Sequence, residues 1–126
     1  MKIPHSKGIE AHSDGDALCH AIGEAMLGAL ALGDLGHHFP DTDERYQGVS
    51  SLMLLEEVMK KISEQKYEVV NVDSLILTER PKMAPHIEKM RENIAMILHT
   101  EVQNISVKAT RGEKVGFIGR EEGIMA

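Results

Sequence analysis

Tryptophan is absent from this chain of 126 residues, and two phenylalanines and two tyrosines are its only aromatic residues. Recognition of nucleic acid by bases stacked on rings therefore has little to work with, and Met, Leu, Ile, Val and Ala must fill the core. The single cysteine, Cys19, excludes an internal disulfide framework and a Cys-rich structural zinc site, which fits a reducing compartment and makes the cytoplasm the expected location. Basic runs are missing too: 14 Lys and Arg stand against 20 Asp and Glu, a formal net charge of −6, so a phosphate-rich polymer is repelled overall. No apolar stretch reaches the roughly 20 residues that span a bilayer, and Met1 to Ile9 lacks both an apolar signal-like core and an Arg-rich amphipathic pattern.

What remains is ordinary for a globular protein, with 42% hydrophobic and 27% charged residues. The length implies one domain over residues 1–126, short enough that association with other copies could matter to its stability.

Periodicity gives the element order. Asp16 to Leu32 is continuous in good helix formers and is expected to stop at Gly33; its small face, with Gly23 and Gly28 inside, points to close approach by another element, another subunit included. Gly33 to Gly48 has no sustained period and is expected to be a functional loop. Leu52, Leu55, Val58, Met59 and Ile62 mark an amphipathic helix from Ser51 to Gln65. Tyr67 to Thr78 alternates as a strand. Pro85 opens a third helix striped by Ile87, Met90, Ile94, Ile97 and Leu98, and Val102 to Thr110 is a second strand with Ile105, Val107 and Ala109 on one face. The fold class is α+β: a two-layer sandwich, helices on one face of a small sheet that calls for further strands.

Three segments carry chemistry. His12, Asp14, Asp16 and His20 gather imidazoles and carboxylates suited to a catalytic zinc or manganese; the plainer alternative is that Asp14 or Asp16 caps the helix and Asp16 pairs weakly with His20. Asp34, Asp41 and Asp43, with His37 and His38, form either a second acidic cluster or a solvated turn. Two acidic clusters would repel a phosphorylated ligand unless a divalent cation bridged them, so a metal and a phosphate-bearing substrate make a consistent pair. The third segment, Lys108 to Arg120, brings Thr110, Arg111 and Glu113 into a Gly-interrupted turn. It offers hydroxyl, amide and guanidinium donors for phosphate and a carboxylate for magnesium, or else it is an edge hairpin with charged gatekeepers.

Five motifs occur in order: His12-Ser13-Asp14-Gly15-Asp16 with His20; Asp34-Leu35-Gly36; Phe39-Pro40-Asp41-Thr42-Asp43; Arg80-Pro81-Lys82-Met83; and Lys108-Ala109-Thr110 followed by Glu113-Lys114-Val115-Gly116-Phe117-Ile118-Gly119-Arg120. Together they resemble the 2-C-methyl-D-erythritol 2,4-cyclodiphosphate synthase family over essentially the whole chain. The resemblance implies a homotrimer with sheets packed around its axis and active sites between subunits. It also implies a reaction in which 4-diphosphocytidyl-2-C-methyl-D-erythritol 2-phosphate closes to the cyclic diphosphate and releases CMP.

Zinc, or another divalent transition metal, and magnesium or manganese are implied as cofactors, with His20 on zinc and Glu113 on magnesium. The family's zinc also takes an Asp-x-His pair on a first strand; no Asp-x-His occurs here, and the family continues into another strand beyond the position of Ala126. His12 and Ser13 are implied at the phosphate being attacked. Asp34, Leu35, Gly36, Phe39, Pro40, Asp41, Thr42 and Asp43 are implied around the methylerythritol part. Thr78, Glu79, Arg80, Pro81, Lys82, Met83 and Ala84 are implied around cytosine, mainly through backbone groups. Thr110, Arg111, Gly112, Glu113, Phe117 and Arg120 complete the phosphate and nucleotide contacts, with His12 and Arg111 nearest the chemistry. Arg111 stands where the family has Thr, a charge that either compensates for weak metal binding or obstructs the diphosphate. The readings that compete with this enzyme are a noncatalytic trimeric nucleotide-binding protein and a metal-dependent phosphohydrolase.

Overall fold

The computed structural model describes residues 8–40, 50–80 and 82–126, with side chains from Asp16 onward. Helix α1 runs Gly8–Ala29, beginning before the expected Asp16, since no proline interrupts that stretch. Asp14 and Asp16 therefore lie inside the helix, which removes the capping alternative. The carboxylate of Asp16 instead accepts a hydrogen bond from the Ser51 hydroxyl at the start of the next long helix.

A short helix α2, Leu35–His38, follows inside the expected loop, capped by Asp34, whose side chain accepts the His37 N–H at 2.8 Å. Helix α3, Ser51–Glu64, matches its periodicity: Leu55, Val58, Met59 and Ile62 are buried, and the Ser50 hydroxyl accepts the Met53 N–H. Strand β1 is Val72–Leu77, helix α4 Ala84–Ile97, strand β2 Ile105–Thr110 and helix α5 Gly116–Gly119. Both strands are shorter than expected. Tyr67 and Val70 are exposed and have no strand partner among the described residues, and Val102–Asn104 winds into a 3-10 turn.

Four helices end alike. After α1, Ala31 takes φ 55°, its N–H reaches the Gly28 carbonyl, and Leu32 N–H reaches that of Leu27. The same pattern of bonds recurs with Lys66 after α3, His99 after α4 and Glu121 after α5, each at positive φ. These are Schellman ends, in which a left-handed residue satisfies the last carbonyls. Here Ala, Lys, His and Glu fill the place that Gly usually takes, so α1 stops before Gly33.

The strands pair in parallel, joined by the α4 crossover that parallel neighbours require. Opposed pairs Val72–Ile105, Ser74–Val107 and Ile76–Ala109 share one face, where Ile76, Ile105 and Val107 are buried under the helices. Ala109, expected with them, is exposed at the sheet's end. Asp73, Leu75, Lys108 and Thr110 point to the other face and are exposed, so the architecture is two-layered with helices on one face. Arg91 fastens α4 to the sheet by donating to the carbonyls of Ile105 (2.6 Å) and Val102 (3.0 Å). A further bridge pairs Leu77 antiparallel with Met125.

The two glycines of α1 part company. A Cβ at Gly23 would meet Leu35 Cδ2 at 3.4 Å, so the close approach comes from this chain's own α2; at Gly28 nothing among the described residues lies within 4 Å. The small residues Ala21, Ala25 and Ala29 line a cavity of about 560 Å³ between α1 and β1, together with Tyr67, Val70 and Leu75. Cys19 sits in the core, where burial, with the Asp16 carboxylate adding to it, pushes its thiol up to about 11. No described helix is long and apolar enough to cross a membrane.

Candidate active site at the strand ends

Strands β1 and β2 finish in register, Leu77 opposite Thr110, and Thr78 N–H adds a bond to the Thr110 carbonyl at 3.0 Å. Two loops thus leave the carboxyl ends of neighbouring parallel strands, which is where open α/β sheets bind ligands. The first begins Thr78-Glu79-Arg80. Thr78 is buried and its hydroxyl donates to the Arg80 carbonyl at 2.7 Å, tightening the turn. The second loop, Arg111 to Val115, is followed by α5.

The second loop folds back hard on itself. Glu113 and Lys114 adopt φ of 52° and 63°, consecutive left-handed residues that cost roughly 1–2 kcal/mol each without glycine. A Cβ on Gly112 would lie 2.5 Å from Gly119 N, and one on Gly119 would lie 2.3 Å from the Lys114 carbonyl carbon. Only glycine fits at either place. The hairpin alternative for this segment is overturned, because a parallel strand, a tight turn and α5 follow one another.

Contacts cross between the loops. Glu79 accepts Gly112 N–H at 2.9 Å and Lys114 N–H at 3.3 Å, one on each carboxylate oxygen. Arg80 Nε lies 3.1 Å from Glu121 Oε1, and Arg120 pairs with Glu122. A recess of about 190 Å³ opens between Thr78, Glu79, Arg80 and residues 121–124.

The structure therefore brings Thr78, Glu79 and Arg80 together with Thr110, Arg111, Gly112, Glu113, Phe117 and Arg120 at one end of the sheet. Thr110, Arg111, Glu113, Phe117 and Arg120 are exposed there. Lys82 and Ala84 are exposed, whereas Met83 is buried in the core at the foot of α4. His20 is exposed on α1. Asp34, Leu35 and Gly36 sit at α2, fixed to α1 by Leu35 N–H donating to Glu24 at 3.1 Å. Phe39 points into the core with Lys61 Nζ 5.8 Å from its ring centre, and Pro40 is half-buried beside it in sequence. The side chains of His12 and Ser13, and residues Asp41, Thr42, Asp43 and Pro81, lie outside the described residues.

Among the described residues no three of His, Cys, Asp and Glu converge as a metal site. His20 and Glu113 can each offer one donor, short of the three protein ligands of a catalytic zinc. Glu79, expected near cytosine mainly through backbone groups, has its carboxylate occupied by the neighbouring loop. No local signal in the sequence marks a bond between residues 33 positions apart.

The chain is 60% identical to the 2-C-methyl-D-erythritol 2,4-cyclodiphosphate synthase of Desulfitobacterium hafniense over 124 residues, 98% of this chain and 78% of that one. With the synthase of the same name from Chloroherpeton thalassium it shares 56% over 126 residues, 100% of this chain and 80% of the other. Among solved structures, the bifunctional IspDF of Campylobacter jejuni superposes with TM-score 0.82 at 38% identity, over 97% of this chain and 31% of that one. The Plasmodium falciparum IspF complex with CDP superposes with TM-score 0.72 at 29% identity, over 97% and 69%. The model of the YgbB family matches residues 1–126, and the chain belongs to that family.

Proposed function

We propose that the protein converts 4-diphosphocytidyl-2-C-methyl-D-erythritol 2-phosphate to 2-C-methyl-D-erythritol 2,4-cyclodiphosphate, releasing CMP. It would act as a phosphorus–oxygen lyase of non-mevalonate isoprenoid synthesis in the cytoplasm. The observation that carries the reading is the identity of 52–60% with synthases of this name over nearly the whole chain. Two strand-end loops rich in amide, hydroxyl and guanidinium donors suit the cytidyl diphosphate that such a reaction needs.

The 2-phosphate oxygen attacks the β-phosphorus, the bond from that phosphorus to the bridging oxygen breaks, and CMP leaves with that oxygen. Anion meets anion in this step, so the barrier is one of charge and alignment. Thr78 to Ala84 hold the cytosine mainly through backbone groups, Asp34 to Gly36 and Phe39 to Asp43 the methylerythritol, and Thr110, Arg111, Phe117 and Arg120 the phosphates and nucleotide. The Arg111 guanidinium, exposed at the mouth of the turn, supplies positive charge where the diphosphate lies, and His12 and Ser13 hold the phosphate being attacked.

Zinc, or another divalent transition metal, and magnesium or manganese would neutralise reacting oxygens, with His20 and Glu113 contributing one donor each. A homotrimer with active sites between subunits accounts for the open cavity beside β1 and the uncovered sheet face. Incubation of the protein with the cytidyl substrate, zinc and magnesium should yield CMP and the cyclic diphosphate in equal amounts, read by phosphorus NMR, and a chelator should stop it. Inorganic phosphate instead of CMP would mean a phosphohydrolase. CMP binding without turnover would mean a nucleotide-binding module.

A further inference from the structure

We infer that Glu79 is a positioning residue: its carboxylate holds the 111–114 turn, and with it the direction of Glu113 and Arg111, and leaves any contact with substrate to the residue's backbone. The inference rests on the functional reading above for the roles of Glu113 and Arg111, and on geometry for everything else.

A pair of adjacent left-handed residues that are not glycine persists only when its surroundings over-determine it. Two restraints surround Glu113 and Lys114. One is internal: the backbone of Gly119 lies so close to Gly112 and Lys114 that the loop is closed upon itself. The other comes from outside, since Glu79 accepts an amide on either side of Glu113. Amides aligned by left-handed residues form a concavity that takes an anion, and here the anion is the protein's own carboxylate. Both of its oxygens are used, so substrate phosphate is left to the side chains and to the other amides of the loop.

Glu79 also follows Thr78 directly at the end of β1, and Thr78 is fixed by its bonds to Thr110 and Arg80. The backbone carrying Glu79 is thus as rigid as the sheet. A carboxylate on a rigid strand end that clamps the turn bearing a metal donor is an outer partner of that donor. Removal of such partners lowers metal affinity or activity by about 10–100-fold.

The test compares Glu79→Ala and Glu79→Gln with the parent in the full-length protein. Amide hydrogen exchange at Gly112 and Lys114 should quicken about tenfold or more in Glu79→Ala. With the cytidyl substrate, the magnesium concentration for half-maximal CMP release should rise and kcat should fall, each about 10-fold or more, while KM stays within a factor of about three. Glu79→Gln keeps one acceptor oxygen and should fall between. Unchanged exchange and unchanged magnesium dependence would overturn the inference, as would a raised KM at constant kcat, which marks a ligand contact. If Glu79→Ala does not fold, the isosteric Gln variant decides by the same measurements. If the parent itself releases no CMP, the functional reading fails, and the exchange rates still decide whether Glu79 holds the turn.

Discussion

Leu27 on α1 and Ile76 and Ile105 on the strands beneath it have no exposed surface, while Arg111, Glu113 and Arg120, beyond the carboxyl end of β2, lie in solvent. The first group is held by burial, which is non-directional and tolerates small shifts. The second is held by a few directed bonds and by glycines that admit no added atom. The core can therefore lose a methyl group and leave function intact, while the strand-end loops can gain one and lose it.

The largest effect should come from emptying the core. Leu27→Ala removes a fully buried side chain and should cost about 2–5 kcal/mol of unfolding free energy by denaturant titration. CMP release per folded molecule should hardly change. A proportionate loss of kcat would break the comparison, because the strand ends would then depend on packing behind them.

Next comes the reverse experiment. Gly119→Ala places a Cβ 2.3 Å from the Lys114 carbonyl carbon, a backbone clash that no rotamer relieves, and should cost roughly 1–3 kcal/mol. Its larger expression should be in catalysis, with CMP release falling while amide protection in β1 and α3 stays as in the parent. Gly28→Ala is the matched control. Nothing among the described residues lies within 4 Å of that position, so an alanine there should stabilise α1 by up to about 1 kcal/mol and leave turnover alone.

The same contrast explains what could be read in advance. The apolar stripes of α3 and α4 were legible because helical spacing records burial, and both helices lie within a residue of expectation. The left-handed caps were not: glycine is their usual sign, and this chain uses Ala31, Lys66, His99 and Glu121. Strand length was overread at Tyr67 to Asn71, where alternation continues but no partner strand lies alongside among the described residues. At the site, the motifs pointed to two loops that the fold sets side by side. Their connection through Glu79, and the left-handed Glu113 and Lys114, depend on contacts between segments distant in sequence. Core and site thus differ in legibility as they differ in physics, periodic where burial rules and silent where single bonds do.

The smallest effect should come from the exposed face of the sheet, where Lys108 Nζ lies 3.0 Å from Asp73 Oδ2 across the two strands. The Lys108 ammonium, hydrogen-bonded to it, holds the Asp73 carboxyl below its ordinary 3.8. A lowered folded-state value means that the stabilisation is complete above 3.8 and is lost as pH falls through the lower, folded value. At neutral pH the pair is fully formed, but water surrounds both side chains, and exposed pairs contribute little. Asp73→Asn should therefore leave the unfolding midpoint at pH 7 indistinguishable from the parent, with any difference between the two curves unchanged from pH 7 to about 5. A midpoint that fell clearly, and fell further on dilution, would mean that this face is covered by another copy in solution. Asp73 would then belong with the buried residues, and the line drawn between the two regions would have to move to the outer side of the sheet.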